Sequence, residues 1–217
     1  MKLSDYIGKY WASAEVMYAV IIAMTFTSTL RGHDDIYETL YHTIVYSALF
    51  CCIAWGIADG LFYAWERRHI IKTENEIIES SKSEHNEYAI SLIREELDDT
   101  ILRNINEKNR EELYQKLVEH LAQVGIREKP SARDSTSIIL GTFLASTVTG
   151  LIVVAPFLLM DDLSIALNIS NMLGILLLFI IGYYRSEGQD LSAKLIIGLG
   201  TAFIGIIIAI ITILLGG

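Results

Sequence analysis

The chain has 217 residues, 52% of them hydrophobic, with only two prolines and a formal charge of -9. A soluble domain of this size spreads its apolar residues in stripes. Here they lie in blocks and mean hydropathy is positive, the composition of a polytopic membrane protein. The acidic balance argues against nucleic acid as a partner, and most of the acid sits in one central block.

Five apolar stretches are long enough to cross a bilayer, whose ~30 Å hydrocarbon core takes ~20 residues of helix. The first, Ala12–Leu30, contains Glu15 and is too long for a signal-peptide core, so a retained helix is expected. The second, Thr43–Trp65, holds a single acid, Asp59. Its adjacent cysteines, Cys51 and Cys52, are poorly placed to bridge each other and read as apolar packing. Ser135–Met160, Leu163–Tyr184 and Leu195–Gly217 hold no charge.

Charge sets the expected topology. With the N-terminus in the cytoplasm, every Lys and Arg of the 17 except Arg31 falls inside, and those near helix ends agree: Arg67, Arg68, Lys72, Arg133, Arg185 and Lys194. The C-terminus then lies on the opposite side. The outer loops carry His33, Asp34, Asp35 and Glu38, then Asp161 and Asp162. The first group, with His42, is a weak metal-ligand pattern.

Between the second and third spans lies a polar segment with helical period. Ile90, Ile93, Leu97, Ile101 and Ile105 form one stripe, and Leu113, Leu117 and Leu121 another. Asn104–Asn109 contains an expected break, and Gly125 with Pro130 marks a helix stop. The expected organisation is all-α: residues 1–66 carry transmembrane helices 1 and 2, 67–134 a cytoplasmic amphipathic helical domain, and 135–217 helices 3 to 5. A long helix leaves the membrane, followed by two or three helices packed as a small bundle.

Asp59 is the first candidate for chemistry, because an acid inside a span is costly and marks a functional site by default. It lies ~9 Å before the end of its span at 1.5 Å per residue. Tyr63 and Glu66 follow on the same face. Gly56 and Gly60 flank it at a spacing that admits another backbone. Glu15 lies at a similar depth on the first helix. Two such carboxylates can share a divalent cation, whose binding displaces their protons: the chemistry of a proton-coupled metal carrier. The alternative has Asp59 bonding Arg67 or a helix hydroxyl and only fixing packing, with Glu15 at the headgroup interface.

The central segment adds a dense acidic set. Glu95, Glu96, Asp99, Glu111 and Glu112 are candidate metal collectors, with His85 and His120 as possible nitrogen ligands. Solubilising charge, interleaved with Lys108, Arg110 and Lys116, is the competing interpretation. There is no Walker A, G-x-S-x-G or H-E-x-x-H pattern, so an enzyme is not expected.

The arrangement resembles the vacuolar iron transporter family. "GTFLASTVTGLIVVAPFLL" is similar to the family's third helix with its proline, here Pro156; "LLLFIIGYYRS" to the fourth, with Gly182–Tyr183; and "LIIGLGTAFIGIIIAIITILLGG" to the glycine-bearing fifth. "WGIADGLFYAWERR" puts Asp59 where a glutamate is usual, and "SAEVMYAV" stands in place of the first helix's asparagine–aspartate–glycine motif. The resemblance implies export of Fe²⁺ or Mn²⁺ from the cytoplasm by proton antiport, the ion being cargo with no permanently bound cofactor. It also implies a homodimer with the path between subunits, in a lipid bilayer. A non-transporting membrane scaffold whose cytoplasmic helices bind a protein partner is the alternative.

Overall fold

A computed structural model describes residues 4–30, 37–83, 86–186 and 188–216. Among these are seven α-helices and no strand: α1 Ser4–Ser28, α2 Tyr37–Ser81, α3 Glu87–Leu97, α4 Glu107–Leu121, α5 Ala132–Leu159, α6 Leu163–Arg185 and α7 Leu191–Gly216. Five (α1, α2, α5, α6 and α7) are long and apolar enough to cross a membrane. The protein is thus an all-α, polytopic membrane protein, as the apolar blocks predict. His33, Asp34, Asp35 and His85 lie outside the described residues, as does the side chain of Glu38.

The chain forms two compact units, one drawn from Met1–Ala64 and Arg133–Gly217 and the other from Trp65–Ala132. In the first, α1 packs on α6 and α7, and α6 on α7. Its core joins Ala19, Val20 and Met24 of α1, Val45, Ala48 and Cys52 of α2, Val153 and Phe157 of α5, and Ala166, Leu167 and Leu178 of α6. Both cysteines are free; the buried Cys52 thiol donates to the Ala19 carbonyl at 3.5 Å.

Polar side chains inside the spans serve the helices themselves. Hydrocarbon supplies no hydrogen-bond partner, so the span hydroxyls turn mostly to carbonyls within the protein, Thr147 Oγ1 being buried without one. Thr27 donates to Ala23 at 2.9 Å, Ser146 to Cys52 at 2.7 Å, and Ser170 to Val153 at 2.7 Å, the last two linking neighbouring helices. The aromatic contact of Tyr41 with Phe157 ties α2 to α5.

Gly56 and Gly60 of α2 face α5 so closely that any side chain would collide. A Cβ at Gly56 would stand 2.9 Å from the Phe143 Cα, and one at Gly60 would stand 2.7 Å from the Ile139 Cα. The small-residue spacing around Asp59 therefore has a specific partner, the backbone of α5.

Side-chain contacts place several chain segments at one end of this unit. Tyr6 donates to Asp134 at 3.4 Å, joining the starts of α1 and α5. The Arg185 guanidinium covers the Tyr10 ring, joining the end of α6 to α1, and Lys194 at the start of α7 lies 5.8 Å from the Tyr183 ring. α1 bends near this end, where Gly8 adopts a left-handed φ of 83° that a side chain would strain.

The second unit is a small helical assembly around Ala89, Ile93, Tyr114 and Val118, with Ile77, Leu97, Leu117 and Leu121 packed against them. The apolar stripe differs from its expected course. α3 ends at Leu97, a 3₁₀ turn occupies Ile101–Asn104, and Ile101 is 81% exposed. Ile101 and Ile105 therefore do not extend the stripe of Ile90, Ile93 and Leu97. Local polar groups account for the break: the Thr100 hydroxyl accepts from Leu102 N, and the Asn106 side chain accepts from Lys108 N and starts α4. α4 ends at Leu121, four residues before Gly125. The chain leaving it is pinned to α2, where the Asn75 amide exchanges two bonds with the Arg127 backbone at 2.9 and 2.8 Å.

Candidate functional site

The acids of the first two spans come together. Glu15 is 0% exposed, deep on α1. The Tyr63 hydroxyl of α2 donates to its Oε1 at 2.6 Å, while Oε2 is buried with no hydrogen-bond partner. Asp59, half-buried one turn before Tyr63, interacts electrostatically with the same carboxyl. Neither acid forms an ion pair with Lys or Arg among the described residues. Aromatic pairs join the same two helices: Trp11 lies 6.2 Å from Tyr63, and Tyr18 lies 6.1 Å from Trp55.

A carboxyl group without a donor for one oxygen, beside a second carboxyl in an apolar setting, is an expensive arrangement. It is the arrangement that a cation or a proton would relieve. Hard and borderline divalent ions take carboxylate oxygens readily, and the Tyr63 hydroxyl fixes the orientation of the Glu15 carboxyl. Tyr63 is legible in sequence only as a neighbour of Asp59 at i+4; its bond across to α1 requires the fold.

The other candidates lie elsewhere. Glu66 is exposed and belongs to the second unit. Glu95, Glu96 and Asp99 are exposed near the end of α3. Of these, Glu96 borders a recess of about 270 Å³, together with His69 and Glu74 among mostly apolar residues. Glu111 is engaged by Arg94 through both oxygens, at 2.8 and 2.7 Å, and Glu112 by Lys116 at 2.7 Å. The Lys116 ammonium holds the Glu112 carboxyl below its ordinary range. His120 is exposed. Among the described residues no three His, Cys, Asp or Glu side chains converge as a metal cage. The acidic faces of α3 and α4 are instead threaded with cations, Asp98 contacting both Arg110 and the Tyr114 hydroxyl.

Five membrane-length helices define an integral, multi-pass membrane protein, and the first two of them bring a buried Glu15 beside a half-buried Asp59. Residues 64–217 match the VIT family, and the chain belongs to that family, whose members move metal ions across membranes. No curated protein matches the chain. The matched segment begins one residue after Tyr63, so Glu15, Asp59 and Tyr63 lie outside it. Their assignment rests on their own geometry.

Proposed function

We propose that the protein carries a divalent transition metal, Fe²⁺ or Mn²⁺, out of the cytoplasm in exchange for protons, with Glu15 and Asp59 holding the ion within the membrane. The observation that carries this reading is the buried Glu15 carboxyl, held on one oxygen by Tyr63, unpartnered on the other and adjacent to Asp59. Family membership supports metal ions as the cargo. Two carboxyl groups leave coordination positions open, which water or the facing subunit of a homodimer completes. Protons returning to the emptied carboxyls supply the counterflow. The N-terminus and Trp65–Ala132 face the cytoplasm on this reading, as the distribution of Lys and Arg favours. There Glu66, Glu95, Glu96 and Asp99 raise the local cation concentration by their field. Glu111 and Glu112, already paired with bases, contribute less.

The test is flux into vesicles reconstituted with the full chain, using Fe²⁺, Mn²⁺ and Ca²⁺ outside and a pH-sensitive dye inside. The parent moves Fe²⁺ and Mn²⁺ with a coupled proton signal, and Glu15→Gln and Asp59→Asn each lose most of both. Parent-like Fe²⁺ and Mn²⁺ flux in both variants would overturn the proposal.

A further inference from the structure

At the end of the membrane unit where α1 begins and α6 finishes, the two helices border a groove of about 630 Å³. Lys9 and Arg185 contribute its cations, Tyr10 and Tyr184 its aromatic rings, and Val16 and Ile180 part of an apolar floor. Arg185 is half-buried, with its guanidinium carbon 3.5 Å from the centre of the Tyr10 ring and Nη1 3.7 Å from the Met17 sulfur. No carboxylate pairs with it among the described residues. A guanidinium on an aromatic face keeps its outward N–H groups available for an oxyanion. Tyr184 is 73% exposed, the placement of an aromatic residue at a headgroup boundary.

We propose that this groove binds an anionic phospholipid, its phosphodiester between Lys9 and Arg185 and an acyl chain along Val16 and Ile180. The combination selects a lipid over a small free anion. α1 and α6 are both membrane-length helices, so the apolar floor continues from the cations toward hydrocarbon, and it offers a soluble phosphate nothing. Basic pockets between spanning helices are one established form of anionic headgroup recognition. The site is separate from the Glu15–Asp59 pair and does not depend on the ion carried.

Native mass spectrometry of the full chain in neutral detergent tests this, with phosphatidylglycerol, phosphatidylcholine of the same acyl chains, and inorganic phosphate as probes. Each cation near a headgroup contributes on the order of a fivefold preference, so the pair favours phosphatidylglycerol about thirtyfold. The Lys9→Gln/Arg185→Gln variant is expected to bind phosphatidylglycerol about thirtyfold more weakly and phosphatidylcholine as before. Lys116→Gln, at an exposed cation of α4, changes neither. If the double variant does not survive purification, Lys9→Gln alone carries the test, with about a fivefold loss expected. Equal binding of the two lipids by the parent overturns the proposal, as does an undiminished preference in the variant. Displacement of phosphatidylglycerol by inorganic phosphate at matched concentration would also overturn it, because the site would then be a simple anion site.

Discussion

Substituting Gly60→Ala tests whether the close approach of α2 to α5 positions the acid pair. The new Cβ would lie 2.7 Å from the Ile139 Cα and 3.1 Å from the Ile139 oxygen. Carbon atoms in comfortable contact stand about 3.5–4.0 Å apart, so the helices must separate by roughly 1 Å. Both obstructing atoms belong to the backbone, so no side-chain rotation relieves the clash. Overpacking of this kind costs about 1–3 kcal/mol, and each kcal/mol lowers the melting temperature of a protein this size by about 2–4 °C. Because Gly60 adjoins Asp59, the same displacement moves that carboxyl relative to Glu15, so flux falls along with stability. The assay pairs thermal unfolding in detergent with vesicle flux. Gly200→Ala in α7 is the control, since a Cβ there meets nothing within 4 Å and a helix gains from the exchange. If Gly60→Ala melted and transported like Gly200→Ala, the proposed role of the α2–α5 contact would be refuted.

Further outcomes follow from the two units. Tyr63→Phe removes the donor to Glu15 and leaves both buried oxygens without one; a hydrogen bond to a charged group is worth about 1.5–3 kcal/mol, so a weakened apparent affinity for the cargo is expected from flux against metal concentration. Glu111→Gln and Glu112→Gln, tested in the same assay, should leave flux near the parent's, because Arg94 and Lys116 already occupy these carboxylates. Tyr114→Phe keeps the buried ring but loses the 2.7 Å bond to Asp98, destabilising the Trp65–Ala132 unit by about 0.5–1.5 kcal/mol in denaturant unfolding of the full chain. Burial, and then the Asp98 bond, raise the Tyr114 phenol above its ordinary value of 10.0. Its contribution is therefore complete below pH 10 and is lost as pH climbs through the raised value. Unfolding at alkaline pH should narrow the difference between parent and Tyr114→Phe.

Much of the architecture was legible along the chain because its physics is local. A bilayer requires a long uninterrupted apolar run, and the five such runs are the five membrane-length helices. Gly56 and Gly60 announced a close helix contact by spacing alone, although the identity of the facing helix was not in that spacing. The amphipathic stripe was harder to read. Ile101 and Ile105 keep the helical period, yet polar groups at Thr100 and Asn106 interrupt the helix between them and redirect the chain. Periodicity records which residues would share a face if a helix continued; side-chain competition for backbone groups decides whether it does.

The sequence by itself determined that the protein crosses a membrane several times as helices, and that Glu15 and Asp59 are unusual residues to find there. Only the tertiary structure decided that the two acids meet. It also brought the Tyr63 hydroxyl onto one oxygen of Glu15 while leaving the other unpartnered, and tied Glu111 to a base seventeen residues away. The reason is physical. Transfer to hydrocarbon is a sum over neighbouring residues and can be read in a window, whereas a hydrogen bond or ion pair between helices depends on how each helix is rotated and how deep it sits. That rotation is set by contacts spread over the whole bundle, such as the glycine face of α2 against the backbone of α5.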